Sequence, residues 1–248
     1  MADPRADGEP AAHPATRPTA YRERPSHRLP GAVVWTRADV SADPVRVVPD
    51  GCMDLIAVDG RLIVAGPDTR AHLVEAVPGA VYTGVRFLPG TGAALLGVRA
   101  HDLRDRRVPL EDLWPGRRAR LAARRVAEAP RPGRALEEVV GGAVAADAYD
   151  PVAAAVLLSA RQGEPVSVLA ARLGLGERQV HRRSLHAFGY GPKTLARVLR
   201  ANRALELARA GVRFADAAVT CGYADQAHLA REMRRLTGAT LGALLRER

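Results

Sequence analysis

The sequence predicts an α+β chain. It should have a small β-rich N-terminal domain with trailing helices and an all-α C-terminal domain, in which a long helix joins two helix-turn-helix units. Three observations predict this. Short apolar runs punctuated by Asp-Gly and Pro-Gly pairs stop after Pro89-Gly90. From Asp150-Pro151 onward the apolar spacing is helical throughout. The formal charge of +10 is also unevenly spread: residues from Pro151 hold 16 Lys+Arg against 7 Asp+Glu, whereas the first 150 hold 21 against 20. A basic domain joined to a near-neutral one points to a polyanion partner for the basic part alone. Arginine-rich coding does not explain the split, because it would act on both halves alike.

Residues 1–28 are rich in Pro, Ala, Arg and Asp and carry few large apolar side chains, so a disordered tail is expected there. A domain over residues 29–148 follows. Val45 to Val48 is a β-branched run ended by Pro49-Asp50-Gly51. Leu55–Val58 and Leu62–Ala65 flank Asp59-Gly60-Arg61, the signal of a hairpin whose tight turn needs positive φ. Further strands are expected at His72–Val77 and Val81–Leu88, around Pro78-Gly79. Short helices are expected at Thr91–Val98 and Pro109–Trp114, and longer ones at Arg117–Ala129 and Arg134–Ala146. The Arg104–Arg107 run reads as solvated surface.

The remaining residues, 150–248, read as the DNA-binding part. Asp150 is an N-cap and Pro151 a first helical residue. In a first unit over 166–188, Ser167 is the expected cap of a short helix carrying Leu169, Ala170 and Leu173. Gly174-Leu175-Gly176 makes the turn, and Glu177 opens the second helix at its positive end. Val180, Ser184 and Phe188 share the inward stripe. Arg178, His181, Arg182 and Arg183 then lie on the open face, where a helix can present them to a major groove. The layout recurs over 214–236, with Gly222 as the turn glycine, Asp225 as the cap, and Leu229 and Met233 inward. Gln226, Ala227 and Arg231 point outward, with Arg234 and Arg235 nearer the end. Between the units, 192–210 is a long helix of roughly 25 Å, a strut able to set two readers about one DNA turn apart. One chain would then read two adjacent groove segments, and its site need not be palindromic.

These residues also carry a family resemblance. Glu177-Arg178-Gln179-Val180-His181-Arg182-Arg183, Gly189-Tyr190-Gly191-Pro192-Lys193-Thr194-Leu195 and the run from Cys221-Gly222-Tyr223-Ala224-Asp225-Gln226 to Leu236-Thr237-Gly238 resemble the AraC/XylS transcription regulators. The resemblance implies regulation at promoters, with Arg178, His181 and Arg182 reading bases in the first unit and Gln226, Ala227 and Arg231 in the second. RNA polymerase would be a further partner. Ser184 replaces the usual aromatic of the first unit, and Leu241 replaces the usual proline after Thr237-Gly238-Ala239-Thr240. Pro49-Asp50-Gly51-Cys52-Met53-Asp54-Leu55, with Gly66-Pro67 and Gly84-Val85-Arg86-Phe87, resembles an uncharacterised N-terminal domain found on a subset of these regulators. That would be a β-rich, cupin-like domain that senses a small-molecule effector or contacts a partner.

Other functions have thinner support. Two cysteines are too few for a disulfide framework or a four-cysteine zinc site. They leave the rival reading, an alkylation-repair methyltransferase acting through Cys52, without its metal. Carboxylates at Asp50 and Asp54 would also raise a Cys52 thiol rather than activate it. His72, Glu75 and His101 lack a ligand spacing, so neither metal nor other cofactor is expected, and no catalytic residue is assigned. A non-specific nucleoid protein is the remaining alternative. No apolar run approaches the ~20 residues of a membrane span, and the first residues lack a signal-peptide core, so a cytoplasmic protein with reduced thiols is expected.

Overall fold

The computed structural model describes residues 20–39, 42–141 and 150–247. Eight strands precede or interleave with the first helices: β1 (Ala20–Pro25), β2 (Val33–Ala38), β3 (Val45–Val47), β4 (Asp54–Val58), β5 (Arg61–Ala65), β6 (His72–Val74), β7 (Val81–Arg86) and β8 (Arg107–Pro109). Six of them form an antiparallel sheet in the order β1-β2-β7-β4-β5-β8, and β3 and β6 pair as a separate two-stranded ribbon. Asp59 and Gly60 both take positive φ, 47° and 71°, which closes the β4–β5 hairpin as the Asp-Gly signal requires.

Register explains the sheet's two faces. Val34 pairs with Val85, Val85 with Leu55, Leu55 with Val64 and Val64 with Val108, a continuous apolar row across five strands. All five are buried, and α2 (Gly116–Ala127) and α3 (Pro132–Gly141) cover them together with α1 (Gly92–Leu96). The alternate residues form the opposite face: Trp35, Gly84, Ile56 and Ile63 in one row, and Arg86, Asp54, Ala65 and Arg107 in the next. Glycine is needed at 84, because the Trp35 indole lies directly where a Cβ would stand.

Three expectations change here. Residues 20–25, assigned to a disordered tail ending at 28, form β1. This strand, polar in sequence, is held by pairing with β2 and by Arg24, Ser26 and the His27 amide, all of which bind the buried Glu137 carboxylate. Residues 1–19 lie outside the described residues, as does the 142–146 end of the helix expected at 134–146. The sheet is open between β1 and β8 with helices on one face, so it forms two layers rather than a cupin's closed double sheet. Arg107, read as part of a solvated run, sits on β8 and pairs with the buried Asp68 at 2.6 Å.

The C-terminal region is helical: α4 (Pro151–Gln162), α5 (Val166–Arg172), α6 (Glu177–Phe188), α7 (Pro192–Arg209), α8 (Phe214–Thr220), α9 (Gln226–Thr237) and α10 (Leu241–Arg246). One apolar cluster runs through it, from Val156 and Leu157 through Val180, Phe188, Leu195, Val198 and Leu205 to Leu229, Met233 and Leu236. Val198 and Leu205 lie on α7 near the middle of this cluster, so both helix pairs pack on that helix.

Candidate nucleic-acid interface

Each helix-turn-helix unit pairs a short helix with a longer one across a tight glycine turn. In the first, Gly174 takes φ +64° between α5 and α6. The expected cap Ser167 lies inside α5, whose N-cap is Pro165. Val166 begins the helix there because the fixed φ of a proline already sets the chain entering it. α6 begins at Glu177, and the Gln179 side chain folds back to accept the Gly176 N–H at 2.8 Å. In the second unit Gly222 takes φ +73°, and the Asp225 carboxylate caps α9 by accepting the His228 N–H at 2.6 Å.

Capping at one end and burial of one stripe leave the opposite stripe in solvent. Val180, Ser184 and Phe188 of α6 and Leu229, Met233 and Leu236 of α9 are buried. Arg178, His181, Arg182 and Arg183 are exposed on α6, as are Gln226, Ala227, Arg231, Arg234 and Arg235 on α9. They are not equally available. Arg183 is engaged by Asp150 at 2.9 Å, the same carboxylate that caps α4. His181 lies against Gly191, where a Cβ would strike its ring, so the loop after α6 sets its direction. Ser184, in place of an aromatic, is satisfied rather than loose: its hydroxyl donates to the Tyr190 carbonyl at 2.7 Å. Leu241, in place of a proline, still begins a helix, capped by Thr240 and buried through Leu241 and Leu244.

A second feature was not anticipated from the sequence. The polar face of the sheet does not look into open solvent. It forms one wall of a cleft of about 2400 Å³ whose other wall is α7 and the α4–α5 connection. On the floor, Arg86 lies 3.5 Å from Asp50 and 3.8 Å from Asp54, and it donates to the Tyr21 hydroxyl. Asp54 accepts the Trp35 indole N–H at 2.6 Å. Burial pushes the Asp54 carboxyl up to about 6, against the pull of Arg86. Burial, reinforced by Asp50 and Asp54, also lifts the Cys52 thiol well above its usual range, so the thiolate that alkyl transfer needs is disfavoured. The signal in the sequence was the alternation itself: Asp54 beside Leu55 and Arg86 beside Val85 mark a polar stripe opposite the core. His72 and Glu75 are exposed, His101 pairs with Asp102 at 3.4 Å, and no metal-holding group of three such side chains occurs among the described residues.

Two helix-turn-helix pairs thus share one connecting helix, and each presents arginines from its second helix. Residues 169–247 match the model of a helix-turn-helix domain family, and residues 25–109 match that of a domain of unknown function (DUF6597). The chain thus carries a helix-turn-helix domain in its C-terminal part and a DUF6597 domain before it. No curated protein matches the chain. Among solved structures it is similar to ToxT of Vibrio cholerae O395, at 9% identity and a TM-score of 0.48, over 87% of this chain and 96% of that one. The same protein bound to (E)-4-(8-methylnaphthalen-1-yl)but-3-enoic acid gives 10% identity and 0.47, over 92% and 98%. The regulator CdpR of Pseudomonas aeruginosa gives 21% identity and 0.33, over 70% of this chain and 47% of that one. Among the described residues no helix is long and apolar enough to cross a membrane.

Proposed function

We propose that this chain is a sequence-specific transcription regulator that reads two adjacent major-groove segments of double-stranded DNA, one with α6 and one with α9. The observation that carries the reading is the exposure of matched polar stripes on two capped helices that share one strut. α7 has 18 residues, about 27 Å, a length suited to placing two readers on one face of a duplex with a 34 Å turn. Arg178, His181 and Arg182 are the base readers of the first segment, and Gln226, Ala227 and Arg231 those of the second. Arg234 and Arg235 lie farther along α9 and serve the phosphates, and Arg183 joins them by exchanging Asp150 for a phosphate. The domain division follows the same logic: 150–248 reads DNA, and the β-rich part before it senses or contacts. The cleft between the sheet and α7 supports a small-molecule effector, because a ligand there would touch both parts at once. RNA polymerase is the partner through which a bound regulator would act.

The test is selection of bound duplexes from a random pool with purified protein, followed by footprinting. A recovered motif with two protected blocks about one turn apart supports the reading. Uniform protection of all sequences would instead mean a non-specific nucleoid protein.

A further inference from the structure

The β3–β6 ribbon stands apart from the six-stranded sheet, and a two-stranded ribbon alone is marginal in water, so what it rests on fixes its place. It rests on the end of the second reader. The amide of Ala71, just before β6, donates to the Leu236 carbonyl at 2.7 Å. Arg46, in the middle of β3, donates from Nη1 to the Thr237 carbonyl at 2.8 Å. Leu236 and Thr237 are the last two residues of α9. Their carbonyls belong to the final turn, which has no partner within the helix and carries the negative end of its dipole. Neutral and cationic donors from the N-terminal domain therefore satisfy both. The Arg46 guanidinium is itself held by Glu247 through Nε at 3.1 Å, so the fork is aimed rather than free.

The ribbon also lines the cleft, through Val45, Arg46, Val47 and Val74. One short element thus borders the cleft and holds the end of α9, through the Arg46 side chain and the Ala71 amide beside it. Gly238 after α9 takes φ +70° and its amide returns to Arg234, so the helix has its own stop. The ribbon is not needed to end the helix; its contacts fix where the end points.

We propose that the β3–β6 ribbon positions the second DNA reader by capping the C-terminal end of α9, with Arg46 as the positioning residue. This rests on the two-segment reading above. Arg46 touches no base; it acts through the direction in which α9 presents Gln226, Ala227 and Arg231.

The experiment uses the full chain and three duplexes built on a selected site: intact, first segment scrambled, and second segment scrambled. Arg46→Ala should weaken binding to the intact duplex roughly tenfold, the scale of one charge-assisted hydrogen bond. It should also shrink the penalty for scrambling the second segment by the same factor and leave the first-segment penalty unchanged. Arg46→Lys keeps a cation at the Thr237 carbonyl and should recover most of the loss. Thermal unfolding of each variant checks the fold, and Arg46→Met, which keeps the apolar stem, replaces the alanine variant if that one unfolds. Unchanged penalties at both segments, or penalties that fall together, overturn the proposal. A wild-type protein indifferent to scrambling of either segment would instead remove the two-segment reading on which the proposal stands.

Discussion

Glu137 on α3 is almost wholly buried, yet three donors from the N-terminal strand and turn converge on it: Arg24 Nη2 at 2.9 Å, the Ser26 hydroxyl at 2.6 Å and the His27 amide at 2.8 Å. Burial alone would raise its carboxyl; the hydrogen bonds from Arg24, Ser26 and His27 outweigh it and lower the group from 4.5 to about 2. A carboxylate depressed in this way stabilises the fold above its unfolded value near 4.5 and loses that contribution as pH falls toward 2. A depression of that size corresponds to about 3 kcal/mol at neutral pH, at 1.36 kcal/mol per unit. Glu137→Gln keeps the volume but turns an amide toward the Arg24 guanidinium, so it should destabilise the N-terminal domain by about 2–3 kcal/mol at pH 7. Both tryptophans, Trp35 and Trp114, lie in that domain, so urea unfolding followed by tryptophan fluorescence reports on it directly. The gap between variant and wild type should narrow steadily from pH 5 to pH 3. A variant within about 0.5 kcal/mol of wild type at pH 7, the range of a neutral surface change, would refute the reasoning.

Asp54 predicts the opposite sign in the neighbouring window. Its folded value, raised by burial to about 6, makes the ionised form a cost that is complete above pH 6 and relieved as pH falls toward 4. Asp54→Asn can still accept the Trp35 indole N–H, so unfolding measured between pH 7 and 5 should show a wild-type gain that the variant lacks; parallel curves would contradict it. Arg182→Ala and Arg231→Ala should each cost about 1–3 kcal/mol at a selected site and little on random DNA, read by competition binding. Equal losses on both would demote these arginines to phosphate contacts. Affinity should also fall steeply with salt as phosphate contacts release counterions, and a flat response in a titration from 50 to 200 mM would contradict a phosphate-anchored complex.

The C-terminal half was the more legible because its signals are local. Gly174, Gly222 and Asp225 act within a few residues of where they stand, and the inward stripe of α9 repeats at helical spacing. The hairpin turn at Asp59-Gly60 was legible for the same reason. Apart from the cap of α5, which is Pro165 rather than Ser167, the errors arose where pairing or burial at a distance decided the outcome. Tyr21-Arg22-Glu23-Arg24 is polar and reads as a tail, yet it is a strand because β2 and the distant Glu137 hold it. Arg107 reads as one charge in a run, yet Asp68, 39 residues away, fixes it. Open-face residues on the readers could be named from spacing alone, but spacing does not show that Asp150 occupies Arg183 or that Gly191 directs His181.

The two ends of α6 and of α9 are held by different parts of the chain. The start of each of these helices is capped within its own unit, by the Gln179 side chain at Gly176 and by Asp225. The far ends are not self-contained. Phe188 at the end of α6 packs over Gly90, where a Cβ would stand 2.7 Å from its ring, and the Gly189 carbonyl receives Arg104. The end of α9 is held by Arg46 and Ala71. Between them, Asn202 of α7 donates to the Pro49 carbonyl at 2.7 Å. The N-terminal domain therefore grips α7 and the trailing ends of α6 and α9 while leaving their leading ends exposed. A shift of that domain would tilt the readers without unmaking them, which changes fit to DNA at little cost in folding. Such an arrangement predicts that substitutions of exposed cleft residues away from the buried Asp54 alter DNA affinity with little change in stability, and a matched loss of both would argue against it.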